Sequence, residues 1–160
     1  MDYNYLRENL DFQKWHKYAP LDTQYIKYAE SNPSVIAAGH KIDDVYYAYC
    51  NARASFMFAN SENFGDISGQ SDISRLYAKT HFLTNALIEY AICLDISWQV
   101  VWAYIQPASL EYLINQKYKD MEKECTRDSV LAQLRCIISQ NSFGVSISQK
   151  LLDLINRFDN

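Results

Sequence analysis

Residues 72–106 contain neither glycine nor proline, and apolar side chains recur along them at spacings of three and four. This periodicity predicts one long α-helix, since positions three and four apart share a helical face. One face holds Leu76, Leu83, Leu87, Tyr90, Leu94, Trp98, Val101 and Ile105. Much of the remaining surface is also apolar, at Phe82, Ile88, Ile92 and Ile96. A helix that is apolar nearly all round is usually buried on several sides, so we expect it to be the spine of the fold.

A second long helix is predicted over residues 34–60, where the same spacing gives one continuous apolar stripe. The stripe consists of Val35, Ala38, Ile42, Val45, Tyr49, Ala52, Phe56 and Ala59. Its alanines are small enough to let another helix approach closely. Residues 63–71 form the clearest loop, and Ser71 or Asp72 is the expected N-cap of the helix that follows, because either side chain can accept from free first-turn amides.

Shorter helical patterns flank these two. An amphipathic segment covers residues 3–18, and after Pro107 three patterns follow: one ends near Lys123, one opens at Arg127 or Asp128, and one is capped by Ser146. Four glycines and three prolines are too few for a turn-rich β-fold. The sequence therefore predicts an all-α fold, a helical bundle with two long antiparallel helices and several shorter helices, in a single domain over residues 1–160.

The charge balance bears on partners and location. The formal net charge is −4, and the lysines lie among acids, so RNA is not a favoured partner. Two carboxylates, Glu89 and Asp95, interrupt the apolar residues 82–105 and would be costly in a bilayer, so no membrane span is predicted. The four cysteines show no metal-ligand spacing, and no export signal opens the chain, which favours a cytoplasmic protein.

Sequence motifs for metals, nucleotides and nucleophiles are missing. No GxGxxG, P-loop, HExxH or GxSxG run occurs, and no Glu-x-x-His pair supports a carboxylate metal site in the bundle. His40 with Asp43 and Asp44 supplies too few ligands. We expect no metal and no cofactor.

Two sets of side chains are candidates for binding. His81, Asn85 and Glu89 are spaced four apart and share one helical face, where a Glu–His pair can do acid–base work or the three can form a plain polar stripe. Tyr46 and Tyr47 belong to a chain with 13 tyrosines. Tyrosine joins a large apolar area to a polar tip, so these two either pack at the rim of the bundle or form an aromatic interface or ligand groove.

Residues 95–102, Asp-Ile-Ser-Trp-Gln-Val-Val-Trp, preceded by Ala-Leu-Ile-Glu-Tyr at 86–90, resemble the central helix of a bacterial branch of the HEPN superfamily, the higher eukaryotes and prokaryotes nucleotide-binding domains. The resemblance covers mainly the two long helices. It implies a helical bundle, usually dimeric, and many members are metal-independent ribonucleases or toxin-system components. Their motif is an Arg followed after four to six residues by His. Arg75 and His81 fit that spacing, but Leu76 stands where the family usually has a polar residue.

These observations lead to one expected function and two alternatives. We expect a HEPN-like binding or interaction domain without catalytic activity, forming a homodimer or binding a protein partner such as a cognate antitoxin. One alternative is a metal-independent ribonuclease of a toxin–antitoxin or defence system, acting through Arg75 and His81. The other is a small-molecule sensor with a tyrosine-lined pocket. Because the family motif commonly lies on a late helix and no histidine follows His81, we expect no RNA cleavage; the segment that carries the motif would then be missing from this chain.

Overall fold

The computed structural model describes residues 25–28, 31–61, 71–105, 117–140 and 145–158. Within these ranges, a 3₁₀ turn at Ile26–Tyr28 precedes five α-helices. They are α1 (Pro33–Ala59), α2 (Asp72–Ile105), α3 (Lys117–Glu124), α4 (Arg127–Ser139) and α5 (Val145–Phe158). These described ranges hold helices and no strand, which confirms the predicted all-α fold. The predicted helix over residues 3–18 lies outside them.

The two long helices pack together in opposite directions. The Cys93 thiol of α2 donates to the carbonyl oxygen of Val45 on α1, 3.7 Å away. Nearer the other end of the pair, the rings of Phe58 and Phe82 stack with centroids 5.2 Å apart. From the first contact to the second, the residue number rises on α1 and falls on α2. The two helices therefore run in opposite directions, which confirms the predicted antiparallel arrangement.

Local side-chain chemistry sets the helix ends. The backbone N–H of Ser74 donates to the Ser71 hydroxyl at 3.1 Å, which confirms Ser71 as the N-cap of α2. That helix is described as far as Ile105, and its predicted last residue, Gln106, lies outside the described residues. Thr126 and Ser129 form a reciprocal capping box that starts α4 at the predicted residue. Ser146, predicted as a cap, instead lies inside the first turn of α5.

The described residues fall into two compact units, to which both α1 and α2 contribute. The first contains residues 40–61 and 71–97. Its buried side chains within the described ranges are all small: Ala48 and Ala52 of α1 and Ala86 of α2. Ala59 is only half-buried. The single domain predicted for residues 1–160 stays a prediction.

The second unit contains residues 25–28, 31–39 and 98–158 within the described ranges, and it holds the larger core. Its buried cluster consists of Ala37, Ala38, Trp102, Ala103, Val130, Leu131, Leu134 and Ile155. Gly39 also belongs to this unit. A glycine inside a helix costs about 1 kcal/mol relative to alanine. It is required here, because a Cβ at Gly39 would lie 2.8 Å from the Tyr25 ring.

The prediction that α2 is buried on several sides is wrong for most of its length. From residue 98 onward its apolar side chains join the core of the second unit. Between residues 73 and 94, however, many large apolar side chains are exposed. The physical reason is that, among the described residues of the first unit, α1 is the only helix beside this part of α2. One neighbour can cover only one side of a helix.

The core of the second unit gives a matched test of packing. We expect Leu134→Ala to lower the free energy of unfolding by about 2–5 kcal/mol, because Leu134 is fully buried and truncation leaves a cavity. Leu154→Ala removes the same atoms from a side chain that is 49% exposed and should cost far less. Urea unfolding followed by circular dichroism measures both values. Equal losses for the two variants would contradict the described core.

Candidate interaction surface

A row of exposed apolar side chains runs along α2. It includes Ile73, Leu76, Leu87 and Leu94, with exposed fractions of 82%, 66%, 63% and 60%. The full row, which we call the α2 seam, consists of Ile73, Leu76, Thr80, Leu83, Leu87, Tyr90 and Leu94. Successive members are separated by three and four residues in strict alternation. Every member of the α2 seam is exposed.

This alternation gives an average spacing of 3.5 residues. Such a spacing keeps a row of side chains on one side when two helices wind slowly around each other. The side of α2 that packs on α1 is different, since it carries the buried Ala86 and the half-buried Phe82 and Cys93. The α2 seam therefore has the pattern of a helix–helix contact and, apart from Tyr90 at its edge, lies outside the contact that α2 makes with α1.

The area of the α2 seam is large for a surface that stays in water. Its six large apolar side chains are between 36% and 82% exposed and form one strip along α2. The largest apolar patch on a typical monomer is about 300–600 Å², and such a patch is often functional. A stable protein interface takes about 800 Å² from each partner. The α2 seam can therefore form the apolar centre of an interface that flanking side chains complete.

The candidate tyrosines lie on α1 in the same unit. The rings of Tyr46 and Tyr47 meet edge to face, with centroids 5.9 Å apart. Tyr47 is exposed, whereas Tyr46 is half-buried and its hydroxyl donates to Cys50. Burial, with a smaller contribution from Cys50, raises the pKa of Tyr46. One turn along, Tyr49 meets Tyr90 edge to face at 6.2 Å, so Tyr90 joins the α2 seam to α1.

The predicted polar stripe is partly assembled. The side-chain nitrogen of Asn85 lies 3.2 Å from Nε2 of His81, within hydrogen-bond distance. The His81 ring also stacks on Tyr77 at 6.5 Å and meets Phe82 edge to face at 5.9 Å. Glu89 follows one turn beyond Asn85 and is half-buried. His81 is thus exposed to solvent and contacts the Asn85 amide and two aromatic rings.

Arg75 and His81 lie on one continuous helix, because α2 already begins at Asp72. At 3.6 residues per turn, two positions six apart point about 120° away from each other and lie about 9 Å apart along the axis. The helix geometry therefore does not direct these two side chains to one reacting atom. Their catalytic role stays a prediction.

Arg53 was not singled out by the sequence reasoning. Its Nε atom is buried and has no hydrogen-bond partner among the residues that the structure describes. Its position does carry a signal, since Tyr46, Tyr49, Arg53 and Phe56 follow one another at spacings of three and four. A charged residue in an otherwise aromatic row of a helix is the pattern that could have drawn attention to it.

Within the described ranges, no three His, Cys, Asp or Glu side chains are grouped so that they could hold a metal ion. By length and composition alone α2 could cross a membrane, with a mean hydropathy of 1.3 over its most apolar window and 17% of that window buried. One such helix is weak grounds for a membrane protein, because soluble helices pass the same test. Asp95 is exposed directly after Leu94 and would be costly in a bilayer. The cytoplasmic location stays a prediction.

Comparisons of the chain with protein-family models, with curated proteins and with solved structures return no significant match. Two features of the molecule therefore bear on its function. They are the exposed α2 seam and the polar stripe that contains His81.

We expect the chain not to cleave RNA above background, and Arg75→Ala and His81→Ala to leave that result unchanged. The reason is that a metal-independent ribonuclease needs a base and a cation at the same phosphate, whereas these two side chains diverge around α2. Gel analysis of end-labelled RNA measures the outcome, with Lys79→Ala as the control for an exposed cation on the same helix. Cleavage that either substitution abolishes and Lys79→Ala retains would show a true active site.

The cysteines give a test of burial in the helix pair. Burial raises the pKa of the Cys50 and Cys93 thiols, whereas Cys136 on α4 is exposed. A raised pKa leaves less thiolate at a given pH, and the thiolate is the reacting form. We expect alkylation at pH 8 to modify Cys136 first, and the rates of Cys50 and Cys93 to rise at higher pH than that of a free thiol. Peptide mass spectrometry over a pH series measures this; faster reaction of Cys93 than of Cys136 would contradict it.

Proposed function

We propose that this chain is a HEPN-like helical interaction domain that binds another protein helix through the α2 seam and performs no catalysis. The observation that carries the proposal is the exposure of the whole seam in strict three–four alternation. Apolar patches of this size mark sites of association on soluble proteins.

Energetics favour covering the α2 seam. Full burial of a leucine or isoleucine side chain contributes about 1.5–3 kcal/mol relative to leaving it in water. Ile73, Leu76, Leu87 and Leu94 are each at least 60% exposed, so most of that contribution is unused in the single chain. A partner that covers all four recovers about 4–8 kcal/mol on this side of the contact, against a cost of association of about 4–15 kcal/mol, so the other members of the α2 seam and the partner's own apolar surface must contribute as well.

The pattern favours a protein helix over a lipid surface as the partner. A lipid chain places no demand on spacing, whereas a row at 3.5-residue spacing is the pattern with which two helices interlock their side chains over several turns. Thr80 lies within the row, and Asp95 lies beside its end. A polar and an ionised group are readily accommodated in a helix–helix contact with water at its rim, and poorly in hydrocarbon.

The HEPN-like part of the proposal rests on the resemblance of residues 86–90 and 95–102, both of which lie on α2. The bundle of antiparallel helices that this resemblance implies is compatible with many helical families. The family tendency toward dimers agrees with an exposed helix face. An antitoxin that offers a helix of matching spacing would fit the same surface.

We expect the wild-type chain to associate as its concentration rises, and Leu83→Ser with Leu87→Ser to weaken that association at least about a hundredfold, because two central apolar contacts are lost from the interface. Sedimentation velocity measures the dissociation constants. The matched control is Ile147→Ser with Leu154→Ser, since these residues of α5 have similar exposures of 46% and 49%. Circular dichroism checks that both double variants are folded.

Two results would contradict the proposal. One is a wild-type chain that stays monomeric at high micromolar concentration and binds no helical partner. The other is equal association of the seam variant and the wild type.

A further inference from the structure

We infer that the partner of the α2 seam is a second copy of this chain, packed antiparallel so that Leu83 of one copy meets Leu87 of the other. This inference rests on the proposed function and names its partner and geometry. Three observations support it: the free length of the row, the sizes of the facing side chains and the hydrogen bond of Thr80.

The free length of the row sets the register. The strict alternation of three and four ends at Leu94, because the next apolar position, Trp98, again lies four residues on. Trp98, Val101 and Ile105 pack against the core of the second unit and are partly buried there. At the other end the helix begins at Asp72. The available part of α2 is therefore residues 73–97, and an antiparallel copy covers all of it when the twofold axis passes beside position 85.

The facing side chains then fit by size. In this register Leu76 faces Leu94 of the second copy, Leu83 faces Leu87, and Thr80 faces Tyr90. The smallest member of the row thus lies opposite the largest. A parallel pair would place Thr80 against Thr80 and Tyr90 against Tyr90, which leaves a gap at one level and crowds the next.

Thr80 is compatible with burial in such a contact. Its hydroxyl already donates to the carbonyl oxygen of Leu76 at 2.9 Å. A buried hydroxyl is costly only when it is left without a partner. Thr80 can therefore be buried in the contact without leaving its hydroxyl as an unsatisfied hydrogen-bond donor.

The test uses two single variants that complement each other only in the antiparallel register. Leu83→Glu alone and Leu87→Lys alone each place a charge against leucine, so we expect each to weaken self-association at least about a hundredfold. In a one-to-one mixture, the carboxylate introduced at position 83 of one chain faces the ammonium introduced at position 87 of the other, and the second contact remains leucine on leucine. We expect the mixture to associate within about tenfold of wild type, as a dimer of one chain of each kind by native mass spectrometry. Leu154→Glu with Ile147→Lys is the control pair and should leave association unchanged in every combination.

A second measurement keeps the inference testable if a charged variant does not fold. Thr84 flanks the α2 seam beside the proposed axis, whereas Tyr77 flanks it two turns away, and both are exposed. In a Cys136→Ser background, Thr84→Cys should form a disulfide with its own copy on mild oxidation, and Tyr77→Cys should not. A parallel pair holds the two Thr84 positions on opposite sides of the contact.

The outcomes separate this inference from the function on which it rests. Single variants that lose association without rescue in the mixture, and no cross-link at position 84, would overturn the antiparallel copy and leave the interaction domain standing. Single variants that associate like wild type would overturn both. A wild-type monomer that binds a different protein helix or phosphatidylcholine vesicles through the α2 seam, or whose seam is covered by residues 1–24 in hydrogen exchange, would overturn the second copy as occupant.

Discussion

The packing of α1 against α2 is the contact on which the described part of the first unit depends. The buried side chains of this unit within the described ranges are Ala48, Ala52 and Ala86. Small side chains allow helix axes to approach each other and leave little room for leucine between them. Leu87 and Leu94 of α2 are exposed, so residues whose spacing in the sequence suggests a core form an outer surface. The packing of the pair and the exposure of the α2 seam are consequences of the same choice of residues.

The sequence predicted helix positions well because helix formation is a local property. The spacing of apolar residues and the Ser71 cap placed the start of α2 at its observed residue. Periodicity tells which residues share a face, but it does not tell what covers that face. Since α2 is apolar on more than one side, only knowledge of its neighbours could decide which side is inner. The alanines of α1 indicated close packing, but they did not indicate against which row of α2.

One continuous row on α2 serves two purposes along its length. At its end, Trp98 and Val101 pack against the core of the second unit. Leu87 and Leu94, in the same row, are exposed in the first. The side chains are equally apolar throughout, so the difference arises from the neighbours and not from α2 itself. The sequence could therefore predict which residues form the row. It could not predict the residue at which the row changes from exposed to buried.

The same rigid geometry that suits α2 for association makes it a poor site for catalysis. Association needs many side chains in a fixed row over several turns, and a long helix supplies this without further support. Catalysis needs a few groups aimed at one atom, usually from separate elements that converge. Arg75 and His81 share one element and diverge, while His81 is engaged with Asn85 and Tyr77. Association through an extended surface needs only the straight helix that α2 already provides. Catalysis by Arg75 and His81 of one chain would require a bend in the helix between them.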